Sequence, residues 1–80
     1  MRLIDYEIVV WDRDVVDVEN VVDDFIDSYD FLGRTNIKDT IDEIFRDGND
    51  VVISMIDAEV SQVEYLINYL NEVGYATDPL

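Results

Sequence analysis

Residues 2–11 alternate between apolar and polar positions. Ile4, Tyr6, Ile8 and Val10 fall on one side and Asp5 and Glu7 on the other, which predicts a half-buried strand. Val9 and Trp11 share the side of Asp5 and Glu7, so that side is not purely polar. From Asp14 the period changes. Val15, Val18, Val21, Val22, Phe25, Ile26, Tyr29 and Leu32 fill one arc at about 100° per residue, which predicts a helix. Asp14 is placed to cap it, Asp17 sits near its positive end, and Gly33 is a natural stop.

The segment 36–46 has two readings. Ile37, Ile41, Ile44 and Phe45 suit a helix face, with Asn36 as cap and Gly48 as terminator. The alternative is a strand at 40–46, a turn at Asp47-Gly48-Asn49 and a hairpin partner. Periodicity favours the helix. Residues 50–56 form a short apolar run, expected as a buried strand. Asp57 is then expected to cap a third helix with Val60, Val63, Leu66, Ile67, Leu70 and Val73 inward, and Gly74 to end it. Tyr75-Ala76-Thr77 is expected as a short last strand. The expected fold is a single α+β domain over residues 1–80, a small sheet with helices on one face in the order β-α-α-β-α-β. A hairpin in the middle would give β-α-β-β-α-β, the ferredoxin-like arrangement.

Charge changes this picture. Twenty acids face five bases, a net charge of −15, where a small soluble domain carries a magnitude of about 2–8. Such an excess repels itself and destabilises the compact state. It also opposes direct binding to nucleic acid or to an anionic membrane, since both are polyanions. A high-salt origin explains acidity and scarce Lys, but such proteins tend to be rich in Ala and Gly. This chain has two Ala and three Gly. Its nine Ile, five Asn and five Tyr suit AT-rich codons, which would also supply Lys, yet Lys38 is the single one. The scarcity of positive charge therefore reads as selected in this protein.

Catalysis is not expected. There is no His and no Cys, so the usual general base, thiolate chemistry and most transition-metal sites are missing. No Ser or Thr sits in an activating motif, and the glycines are isolated. Carboxylate pairs are unavoidable among twenty acids and carry no specificity. Asp47 to Asp50 and Asp12-Arg13-Asp14 have oxygen ligands, but neither follows the EF-hand spacing. No metal or other cofactor is expected. No apolar run approaches the length of about 20 residues that spans a bilayer. The segment MRLIDYEIVV holds one Arg and two acids and does not read as a signal peptide, so the cytoplasm is the expected location.

The most informative feature is the outer face of the first helix. Asp17, Glu19, Asp23, Asp24, Asp27 and Asp30 lie away from its apolar arc, and no base occurs between Arg13 and Arg34. Glu19–Asp23, Asp23–Asp27, Asp24–Asp27 and Asp27–Asp30 are like-charge pairs at helical spacing. Each destabilises a helix by about 0.2–0.5 kcal/mol. A face shaped for solubility alone would mix the two signs. Asp5 and Glu7 on the first strand add carboxylates about 6.6 Å apart. Tyr65 and Tyr69, one turn apart on the last helix, either pack at the core edge or anchor a partner.

In size, in its Lys-poor surface lacking His and Cys, and in the stretch VVDVENVVDDFIDSYDFL, the chain resembles small acidic phage-encoded inhibitors. These are the DNA mimics of the anti-CRISPR and anti-restriction type. The resemblance is one of composition over the whole chain and carries over no individual residue. It implies a non-catalytic inhibitor in the host cytoplasm, bound to a basic nucleic-acid-binding defence protein or complex. The other reading is a general protein-interaction or regulatory domain, antitoxin-like or an accessory subunit, with homodimerisation through an open sheet edge.

Overall fold

The computed structural model describes residues 2–29 and 36–80. Strand β1 (Leu3–Val10) turns its even positions inward: Ile8 and Val10 are buried, and Ile4 and Tyr6 pack on the core. Helix α1 (Val15–Tyr29) follows. The Asp14 carbonyl accepts its first bond from the Val18 amide at 3.1 Å, which puts Asp14 at the cap position. Val18, Val22 and Phe25 are buried, with Val15, Val21 and Ile26 around them. The expected last apolar position Leu32 and stop Gly33 lie outside the described residues, as does Asp30.

Residues 36–46 divide between the two readings. Asn36 caps as expected, its Oδ1 accepting the Lys38 amide at 2.9 Å. Helix α2 (Ile37–Thr40) is one turn long, and the chain continues as strand β2 (Ile41–Asp47). The expectation of a helix to residue 46 is therefore corrected at Ile41. A bulge in β2 produces the helix-like spacing. Ile41 lies opposite Met55 and Ile44 opposite Ile53, so three steps on β2 match two on its neighbour. The extra residue lets Ile41 and Ile44 share a face at a spacing that imitates a helix. Phe45, expected on the same arc, points to the other side of the sheet, opposite Val52.

Gly48 takes φ +65° in the two-residue turn to strand β3 (Asp50–Glu59), at the position a type II′ turn gives to glycine. A second bulge lies in β3, between the pairs Ile4–Ala58 and Tyr6–Met55. There Asp57 adopts φ +48°, and its amide donates to Asp5 Oδ1 at 3.1 Å. Asp57 thus serves the bulge and not the helix cap expected of it. Helix α3 (Val60–Glu72) is capped instead by a reciprocal pair, Glu59 with Gln62. Val63, Leu66, Ile67 and Leu70 are buried, whereas Val60 and Val73, expected inward, are exposed. Gly74 closes the helix at φ +96°.

The sheet order is β1-β3-β2, with antiparallel neighbours throughout. The expected strand at 75–77 is a single antiparallel bridge from Thr77 to Val10 on the outer edge of β1. Flanking bonds run from the Trp11 amide to Ala76 at 2.9 Å and from the Asp78 amide to Val9 at 3.1 Å. The chain order is β-α-α-β-β-α, so the second helix of one reading and the hairpin of the other are both present. The helices pack on one sheet face through Val18, Val22, Phe25, Ile37, Val63, Leu66 and Leu70 against Ile8, Val10, Val51, Ile53 and Met55. This is the expected mixed α+β architecture.

An Asp at positive φ is tolerated but not free of cost. Asp57→Gly is expected to raise the unfolding free energy by about 0.5–1 kcal/mol, and Asp57→Val to lower it by about 1–2 kcal/mol. Urea unfolding measures both, and an Asp57→Val variant as stable as the parent contradicts the bulge geometry.

Candidate protein-interaction surfaces

Asp17, Glu19, Asp23, Asp24 and Asp27 are all exposed on α1. Their carboxylates have no hydrogen-bond or ion-pair partner among the described residues. Glu19, Asp23 and Asp27 form one ridge with steps of about 6 Å along the axis. Asp17 and Asp24, seven apart, lie side by side with it. Val16 sits within this acidic face at 65% exposure. The apolar arc read from the sequence does not include it, and its exposure leaves an apolar point among carboxylates.

Other acids have local structural work. Asp5 holds the bulge at Asp57. Asp50 Oδ1 accepts the amide of Asp12, which has φ +51°, at 3.1 Å. Asp78 accepts the Trp11 indole N–H at 2.8 Å. Two of the bases are also engaged. Arg13 stacks over the Tyr75 ring at 4.2 Å and donates to the Gly74 carbonyl. Arg46 pairs with Asp14 at 3.0 Å. Both line an open cleft of about 330 Å³ with Asp12, Asp14, Asp17 and Asn49, at the start of α1. Among the described residues the α1 carboxylates have no such local work, and neither do those of Glu7, Glu43 and Asp47 on the strands.

The expected site residues fall on separate surfaces. Asp5 and Glu7 lie on the sheet face opposite the helices, across the molecule from the α1 ridge. Tyr69 packs on the core, its ring 5.4 Å from that of Phe25, while Tyr65 is 48% exposed. Glu43, which a helical reading of 36–46 does not place on the sheet, joins Glu7 on the sheet face: both lie opposite Ser54. Among the described residues no group of three or more acids is arranged to hold a metal ion. No described helix is long and apolar enough to cross a membrane. Comparison with protein-family models, curated proteins and solved structures finds no match to this chain.

Unpartnered like charges on one helix repel through solvent, and salt screens them. Raising NaCl from about 20 mM to about 500 mM shortens the Debye length from about 20 Å to about 4 Å. The melting temperature is expected to rise over that range. A calorimetric scan showing no rise would mean that these carboxylates do not repel appreciably.

Proposed function

We propose that the chain is a non-catalytic inhibitor that presents carboxylates to the basic groove of a nucleic-acid-binding protein, in the place of the nucleic acid. The target class is a host defence nuclease or surveillance complex, met in the cytoplasm. The observation that carries the proposal is the α1 ridge of exposed carboxylates, without partners among the described residues and kept at a cost to the helix. Steps of about 6 Å along the helix axis approximate every second phosphate of a duplex strand, whose phosphates rise about 3.4 Å each along the duplex axis. Arg side chains that grip phosphates bind carboxylates in the same forked geometry. The net charge of −15 would also speed encounter with a basic surface.

The test is capture of partners from host lysate on the immobilised protein at low and at high salt. Mimicry predicts that the retained proteins bind nucleic acid and are lost steeply as salt rises, because their groove is electrostatic. A partner that lacks a nucleic-acid site and is held equally at both salts would overturn it. That outcome would favour the general interaction or regulatory reading, for which the exposed Tyr65 offers an anchor.

A further inference from the structure

The sheet face turned away from the helices carries a pattern of its own. Residues opposite one another across the strands form rows on it. Glu7, Ser54 and Glu43 make one row, and Val9, Val52 and Phe45 make the next. Trp11 and Asp47 follow on the same side, two positions beyond Val9 and Phe45. An apolar stripe therefore crosses all three strands, with Glu7 and Glu43 along one flank and Asp47 on the other. Val52, in the middle of the stripe, is buried, its flanking Val9 and Phe45 are half-buried, and Trp11 is 45% exposed. The described helices pack on the opposite face. Arg46, the base on β2, lies opposite Val51 on the helix side.

We propose that this face docks a basic, amphipathic segment of a partner protein. Its apolar side chains would lie on Val9, Phe45 and Trp11, and its Arg or Lys on Glu7, Glu43 and Asp47. Charge complementarity selects this occupant. A second copy would bring the same carboxylates and set −15 against −15. Nucleic acid and anionic lipid are repelled on the same ground. An all-basic surface would leave the stripe uncovered. The face lies across the molecule from the α1 ridge, so the proposal does not rest on the inhibitor reading and both surfaces can be occupied together.

Trp11, the only tryptophan, reports occupancy through its fluorescence. The probe is a synthetic peptide alternating Arg and Leu, compared with an all-Arg peptide of equal charge. The Arg–Leu peptide is expected to shift Trp11 emission to shorter wavelength and to bind at least about tenfold more tightly than the all-Arg peptide. The double variant E7K/E43K should weaken the Arg–Leu peptide at least about tenfold. The triple variant D23K/D24K/D27K removes more negative charge overall, yet should weaken it less. Equal affinity for the two peptides, an unmoved Trp11 spectrum, or a larger loss in the triple variant would overturn the proposal. So would a shift in Trp11 emission produced by raising the protein concentration alone, which would assign the face to a second copy.

Discussion

Replacing Asp23, Asp24 and Asp27 together with Lys is expected to weaken binding to the captured partner about a thousandfold while the domain stays folded. Each contact of a carboxylate with a groove Arg is taken at about 1.4 kcal/mol, or tenfold, toward the low end for charge pairs at interfaces. Reversal also places like charges together. The fold should survive because all three side chains are exposed and none has a partner among the described residues. Lys is a better helix former than Asp, and each reversal changes the net charge by two units, taking −15 to −9. Binding and stability should therefore move apart. Titration calorimetry for binding and circular dichroism for melting check the pair. Unchanged affinity would remove the α1 ridge from the interface, and loss of folding would mean that these acids serve the structure after all. The single variant Asp23→Lys sharpens the point. It turns two like-charge neighbours, Glu19 and Asp27, into attractive ones, and should raise stability by about 0.5–1.5 kcal/mol.

Phe25→Ala is expected to remove about 3–5 kcal/mol of stability. Phe25 is 1% exposed and fixes α1 against α3 through its tilted contact with Tyr69. An 80-residue domain holds about 4–12 kcal/mol in total, so this one cavity takes a large share of the margin. Phe25→Leu fills most of the space and should cost much less. Urea midpoints at neutral pH measure the series. A Phe25→Ala loss below about 1 kcal/mol would mean that the helices do not close over the sheet as described. Added salt should recover part of the lost margin in both variants by screening the α1 face.

Periodicity made β1, α1 and most of α3 legible, because each keeps an unbroken period. The departures occur where one extra residue interrupts it. In β2 the bulge at Asp42 gives Ile41 and Ile44 a spacing of three, which a strand without a bulge cannot show. In β3 the bulge at Asp57 uses an acid that also resembles a helix cap, and the true cap falls two residues later at Glu59. Capping chemistry, Glu59 with Gln62, was present in the sequence as the pattern of acid and amide three apart. The α1 face was legible because a helix wheel fixes it once the apolar arc is known. The sheet face was not. Its pattern exists only in the register that aligns Glu7 with Glu43 and Val9 with Phe45 through β3. The two sets of carboxylates, α1 and β1, read alike in the sequence and point to opposite sides of the molecule.

Under the proposed inhibitor function, the chain occupies the partner's groove in place of the nucleic acid. Competition on the isolated partner tests it most directly. A fluorescently labelled nucleic-acid ligand is bound to the captured partner at fixed salt, and this protein is titrated in while anisotropy is followed. Mimicry predicts complete displacement, with apparent affinity falling in proportion to added nucleic acid and no ternary complex. A stable ternary complex, with protein and nucleic acid bound together at saturating concentrations of both, would contradict it.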